Sequence, residues 1–262
     1  MRLNVSMAKL LGNISTNIAK PLPQVMAYQE NPEHIAIVGG GWSLDDTFEE
    51  LRDLYFQGVK LVALNGSARW LMARNLKPAM HVMLDARPEN IEFVADPIPD
   101  CRYILASQCD PSVIDACLGR DLRLFHVVGD DSPDEKEILD AHYFGRWQPV
   151  PSAGTVGVTA LMLCRILGFR FQHLFGMDSC TAPDGRHHGY PQPLNDNDGW
   201  AIFHCAGREF RCSAWQAAQA QNFIDMIRVN GELFELSIHG DGLLAYLLRT
   251  GADLSAHKVT EA

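Results

Sequence analysis

His34-Ile35-Ala36-Ile37-Val38-Gly39-Gly40-Gly41-Trp42-Ser43-Leu44 reads as a buried strand, a tight turn and the start of a helix. The apolar run 35–38 ends in three glycines, and an acidic amphipathic segment, 45–55, follows Ser43. Glycines at such a turn let backbone approach a ligand, and the new helix directs its free N–H groups at an anion. The stretch predicts a phosphate-binding turn opening a nucleotide-binding α/β domain. A glycine-rich turn also occurs without any ligand, so its meaning depends on the rest of the chain.

On either side of this turn the pattern is strand alternating with helix. Short apolar runs at 60–64, 79–84, 102–106, 122–128, 171–175 and 233–238 read as further strands. Helical periodicity falls at 44–56, 68–75, 111–118, 134–143, 155–168, 214–230 and 243–249, with a short helix at 88–95. Residues 149–154 read as a loop and 252–262 as a loose tail. Strands apolar throughout indicate a parallel sheet covered on both faces. The expected fold is α/β: a Rossmann-like, mostly parallel sheet with helices on both faces, an irregular lid insertion and a C-terminal helical cap. The divisions are an N-terminal helical extension (1–30), a nucleotide-binding core (31–178), a lid (179–212), a helix-strand-helix completing the same domain (213–250) and a tail (251–262). The extension has weak helical periodicity and reads as a docking helix or an oligomer contact, so a homo-oligomer is an open expectation.

The composition sets limits. A chain of 262 residues with 47% hydrophobic content can build one large core. A net charge of −10 argues against general nucleic-acid binding, though not against a small phosphorylated ligand. No apolar run is long enough to span a bilayer, and residues 1–29 lack a sustained hydrophobic leader. Seven scattered cysteines without a CxxC pair suit reduced thiols. The expected location is cytoplasmic.

In parallel sheets ligands bind outside the carboxyl ends of the strands. The residues that follow the expected strands are Gly39, Gly40, Gly41 and Ser43; Asn65 and Ser67; Asp85 and Arg87; Asp130 and Asp131; and Asp178. Ser152, Gly154 and Thr155 precede the long apolar helix. Amides, small hydroxyls and carboxylates on one rim suit a nucleotide, with carboxylates available for a divalent ion. Each also has a plainer role: Asp85, Ser152 and Thr155 as helix caps, Asn65 as a turn residue, Asp130 and Asp131 as a solvated turn. In the lid, His187 and His188 offer a general acid or base, and Arg186 a phosphate contact. Cys180, His204, Cys205 and Cys212 raise a zinc site, but their spacings fit no common pattern.

Other classes are disfavoured. There is no GxSxG for a hydrolase, and the glycine turn lacks the lysine of a P-loop. A dinucleotide oxidoreductase would want a glycine where Leu44 stands and an acid where Asn65 stands.

The segments 37–44, 63–67 and 77–85, extended by Ser152-Ala153-Gly154-Thr155-Val156-Gly157 and Leu174-Phe175-Gly176-Met177-Asp178, resemble the archaeal-type 6-hydroxymethylpterin diphosphokinase-like (MptE-like) family. The same domain occurs in flagellin-modifying motility-associated factors and is similar in outline to bacterial sialyltransferases. The family turn usually reads Gly-x-Gly-Pro-Ser-Leu; Trp42 stands here in place of the proline, which loses a fixed φ and adds a large ring. The resemblance implies a transferase holding a nucleotide at the first turn and a hydroxyl-bearing acceptor. As a diphosphokinase, the preferred reading, it would pass a pyrophosphoryl group from ATP to a pterin hydroxymethyl, with Mg2+ on Asp85 and Asp178. As a glycosyltransferase it would lay a nucleotide-sugar along Gly39 to Ser43, Asn65 and Ser152 to Thr155, with His188 as acid/base. A non-catalytic nucleotide-binding accessory protein is the third reading.

Overall fold

The computed structural model describes residues 5–129, 132–192, 199–252 and 259–261. Asp130 and Asp131 lie outside them. The strands are β1 (Asn31–Val38), β2 (Lys60–Leu64), β3 (Met80–Met83), β4 (Arg102–Ala106), β5 (Leu122–Val128), β6 (Pro149–Pro151), β7 (Phe169–Phe175), β8 (Trp200–Cys205), β9 (Arg208–Ser213), β10 (Glu235–Ile238) and β11 (Val259–Glu261). The helices are α1 (Met7–Ile18), α2 (Phe48–Phe56), α3 (Ser67–Met72), α4 (Pro111–Ala116), α5 (Pro133–Tyr143), α6 (Val156–Ile166), α7 (Ala214–Asn230) and α8 (Leu243–Thr250).

Eight strands form one parallel sheet in the order β10-β7-β1-β2-β3-β4-β5-β6. The α/β architecture is therefore as the sequence reads. After β1 the chain steps outward strand by strand to β6. It then crosses back through α6 and lays β7 against the other side of β1, in register from His34↔Phe171 to Val38↔Phe175. The strand order thus reverses between β1 and β7, the kind of position at which open α/β sheets bind ligands in a crevice outside the strand ends. The pairing is apolar toward the carboxyl ends of both strands, where Ile37, Val38, Leu174 and Phe175 are wholly buried.

Two segments read as irregular contain strands. Within 179–212, β8 and β9 form an antiparallel hairpin through Ala206 and Gly207, both at positive φ. The tail contributes β11, which pairs with β8 from Val259↔Phe203 to Glu261↔Ala201. Pro149–Pro151, expected as loop, pairs with β5 as the short edge strand β6.

The N-terminal extension docks on its own chain. Leu10, Ile14 and Ile18 of α1 are buried against Leu139 of α5, each worth on the order of 2 kcal/mol of transfer free energy. Asn13 and Asn17 on the same helix donate to the carbonyls of Gln108 (3.1 Å), Ser107 (3.0 Å) and Cys109 (2.8 Å). Those carbonyls follow β4 and would otherwise be buried without donors. No helix among the described residues is long and apolar enough to cross a membrane.

Candidate functional site

The turns after β1 and β7 are joined by alternate N–H groups. Gly39 donates to Phe175 O and Gly41 to Gly176 O, both at 2.8 Å. Ser43 N–H donates to Asp178 Oδ2 at 3.0 Å. A Cβ on Gly39 would lie 2.5 Å from Gly176 O, and one on Gly41 would collide with Asp178 Oδ2. Glycine is needed here so that two loops of the protein can touch. The donors of Gly39, Gly41 and Ser43, expected to hold phosphate, are used within the fold. Trp42 packs half-buried against the core.

Asp178 is 4% exposed. Burial pushes its carboxyl up to about 6, against the pull of the Ser43 hydrogen bonding, and Asp46 adds to the rise. Its backbone carbonyl accepts from Leu243 N–H at 2.8 Å, which pins the start of α8. A Cβ on Gly242 would lie 2.5 Å from Asp178 Cα, and one on Gly240 would lie 2.7 Å from Ser43 Oγ. Asp178 is thus the residue on which the β1 turn, the β7 turn and the start of α8 converge.

On the β2 side, Ser67 is fully buried. Its hydroxyl donates to Val38 O (2.7 Å) and accepts from Leu64 N–H (2.9 Å), tying β1 to β2. Asn65 differs. Its backbone is left-handed (φ 49°), and its carbonyl oxygen accepts from His81 Nε2 at 2.8 Å. Burial pushes His81 down to about 4, so the ring is neutral and Nε2 carries the proton. Asn65 Oδ1 is buried without a hydrogen-bond partner, the kind of acceptor that a ligand donor satisfies.

The lid closes on Gly40, the middle glycine. Gly189 N–H donates to Gly40 O at 3.0 Å. The position of a Gly40 Cβ lies 2.7 Å from Tyr190 Oη and 3.1 Å from His188 Cδ2, and that of Gly66 lies 3.0 Å from the Tyr190 and Phe93 rings. The Tyr190 ring therefore sits between the turns after β1 and β2, and burial raises its phenol. The ring of His187 meets that of His188 at 4.5 Å. Arg186, expected at a phosphate, is exposed and paired with Asp184 (Nε to Oδ2, 2.7 Å).

The N-terminus of α6 forms the opposite wall. Met177 separates it from the glycine turn: its Sδ is 3.2 Å from a Gly39 Cβ and 2.6 Å from a Gly157 Cβ. Thr155 caps the helix, its Oγ1 accepting from Val158 N–H at 3.4 Å and from Gln219 Nε2 at 3.1 Å. Gln219 Oε1 in turn accepts from Ser179 Oγ at 2.9 Å. One buried amide on α7 therefore links the start of α6 to the turn after β7. Gly154 has φ 83°, and a Cβ there would collide with Asn222 Nδ2, which donates to Ala153 O at 3.2 Å. Ser152 stays with the sheet edge, donating its N–H to Val128 O at 2.8 Å. Sequence reasoning missed Gln219, Asn222 and His81. The only trace of the first two is their i, i+3 spacing on α7.

Asp85 and Asp178 are not brought together. Their strands, β3 and β7, are separated by β2 and β1, which puts the strand axes roughly 14 Å apart. Asp85 holds Arg87 in a fork, Nη2 to Oδ2 at 2.6 Å and Nε to Oδ1 at 3.1 Å, and also accepts from Arg87 N–H. Asp178 is enclosed by glycines and Ser43. The two carboxylates do not fit one shared Mg2+. Among the described residues no group of three or more His, Cys, Asp and Glu is placed to hold a metal ion, the lid cysteines included.

Among solved structures, the chain is similar to a MAf glycosyltransferase from Magnetospirillum magneticum AMB-1, with TM-score 0.64 and 15% identity over 92% of this chain and 38% of that one. It spans well under half of that protein. A mammalian sialyltransferase in complex with Gal-beta-1-3GalNAc-ortho-nitrophenol aligns with TM-score 0.45 and 10% identity over 87% of this chain and 79% of that one. Comparison with curated proteins gives no match. The family model described as "6-hydroxymethylpterin diphosphokinase MptE-like" matches residues 8–184, most of the chain, and the chain belongs to that family.

Proposed function

We propose that this protein is a nucleotide-dependent transferase that moves a glycosyl group from a nucleotide-sugar to a hydroxyl-bearing acceptor. The supporting observation is the seating of the lid. Gly189 is tied to Gly40 O at 3.0 Å, and His188 lies against the glycine turn at the switch point. In this reading the donor phosphate lies at the N-terminus of α6, whose first turn carries no acidic residue. Asn65 Oδ1 accepts from the nucleotide. His188 takes the proton of the acceptor hydroxyl as its oxygen bonds to the anomeric carbon, and the bond from that carbon to the phosphate oxygen breaks. The nucleotide leaves with the electron pair.

The second reading is pyrophosphoryl transfer from ATP to a hydroxymethyl acceptor, which the family's description favours. The placement of Asp85 and Asp178 gives it no shared ion, so no step is routed through one. A thermal-shift panel of ATP, CMP-sugars, UDP-sugars and GDP-sugars, with and without Mg2+, followed by product analysis, separates the readings. The expected result is stabilisation by a nucleotide-sugar and turnover that His188→Ala removes without lowering Tm. A shift by ATP with a pyrophosphorylated product establishes the second reading. Nucleotide binding without turnover makes the protein an accessory factor.

A further inference from the structure

Three histidines on and beside the sheet and a glutamate on α2 form a continuous chain that the proposed transfer does not use. His34 Nδ1 lies 3.0 Å from His173 Nε2, and His173 Nδ1 lies 3.1 Å from His239 Nε2. His239 Nδ1 lies 2.6 Å from Glu50 Oε2. Ring centroids are 5.3 and 5.4 Å apart and planes differ by 29° and 33°, so each ring meets the next through its nitrogens. Phe171 stacks on His34 at 4.8 Å and Phe175 on His239 at 4.0 Å, fixing both end rings. Four elements supply the chain: β1, β7, the segment after β10, and α2.

We propose that His34, His173, His239 and Glu50 form a one-proton relay, an acid-sensitive clasp that holds α2 against the β7–β10 edge beside the crevice. Proton counting gives its direction. The Glu50 carboxylate only accepts, so His239 must carry its proton on Nδ1. His239 Nε2 is then an acceptor and requires the proton of His173 on Nδ1. By the same step His34 is protonated on Nδ1, and its Nε2 is left as the vacant end. Three neutral rings satisfy three contacts. One added proton enters at His34 Nε2 and breaks none of them. A second proton on the rings must go to Nε2 of His173 or His239. Each already faces an N–H, and the contact is lost.

Burial and its two histidine neighbours push His173 down to about 4, which agrees with its place as the interior link. The surrounding elements also carry three ion pairs. Glu33 pairs with Lys60 at 2.6 Å, Arg170 with Glu235 at 3.6 Å, and Arg52 with Glu49. The clasp bears on the crevice through position. His239 precedes Gly240, which lies against Ser43 Oγ, and Glu50 is two residues into α2, just past the glycine turn.

The test is nitrogen-15 NMR of the histidine rings in the whole protein. At pH about 7.5, His34, His173 and His239 should all be Nδ1–H tautomers, and His173 should stay neutral as the pH is lowered past 5. Glu50→Gln offers both a donor and an acceptor, so it removes the direction. His173, which Glu50 does not touch, should then become a mixture of tautomers. Protection factors at 47–51 and 239–243, taken relative to the intrinsic exchange rate at each pH, should fall in wild type on acidification. An Nε2–H tautomer at His173, or a His173 tautomer unmoved by Glu50→Gln, would overturn the proposal.

Discussion

Ser43 N–H donates to Asp178 Oδ2 at 3.0 Å across the β1–β7 switch point, joining two residues 135 positions apart. The carboxylate is buried, and its pKa is raised from 3.8 to about 6. The folded state holds the proton more tightly than the unfolded chain. This group's stabilisation is therefore present in acid and lost as pH rises from 3.8 through about 6. At neutral pH the buried charge costs up to ~3 kcal/mol. Asp178→Asn keeps an acceptor for Ser43 and should raise Tm above about pH 7, with the gain vanishing in acid. Melting both proteins across pH checks it. A lower Tm at neutral pH would show that the charge itself stabilises the turn.

Gly41 is the tightest point of the same contact. A Cβ there collides with Asp178 Oδ2 and lies 2.7 Å from Gly176 O, a backbone atom that cannot swing away. Gly41→Ala should cost 1–3 kcal/mol or more, on the order expected for overpacking. Urea unfolding measures it. Wild-type stability in this variant would mean that the two loops are not in contact in solution.

Gln219 links Thr155 and Ser179 through a single amide. Gln219→Leu leaves both hydroxyls without that partner and should cost about 1–3 kcal/mol. Because Thr155→Val removes one end of the same link, the two effects should fall short of additivity by ~0.5 kcal/mol or more. A double-mutant cycle in urea tests this, and strictly additive values would dissolve the link.

His188 lies half-buried against Gly40, and its removal leaves the core intact. His188→Ala should lower turnover by about 10²- to 10⁴-fold, the range of a lost general base, with Tm unchanged. Steady-state rates with a nucleotide-sugar donor supply the check. Full activity would take His188 out of the chemistry.

The legible parts of the chain were those whose physics is local. Strands β2, β4 and β5 match their sequence reading to the residue, because a strand buried on both faces is rich in apolar residues between turn signals. The hairpin of β8 and β9 escaped because its turn is Ala206-Gly207 rather than an Asn-Gly signal, and β6 because its three residues include two prolines. The strand-end rule picked out Gly40, Asn65, Thr155 and Asp178, all of which lie at or just past the carboxyl ends of the strands or at the start of α6. It could not tell which donors face a ligand. The partners of Gly39, Gly41 and Ser43 lie on β7 and its following turn, more than 130 residues away, and Gln219 is 64 residues from Thr155.

In the proposed transferase a nucleotide occupies the space bounded by Gly40, Asn65, the N-terminus of α6 and the lid. Hydrogen–deuterium exchange of the whole protein, alone and with saturating ATP, CMP, UDP or GDP, tests it most directly. At least one nucleotide should slow exchange together at 38–43, 65–67, 155–158 and 187–190, while β8, β9 and α5 stay unchanged. Protection confined to other segments, or none with any of the four, would contradict the account.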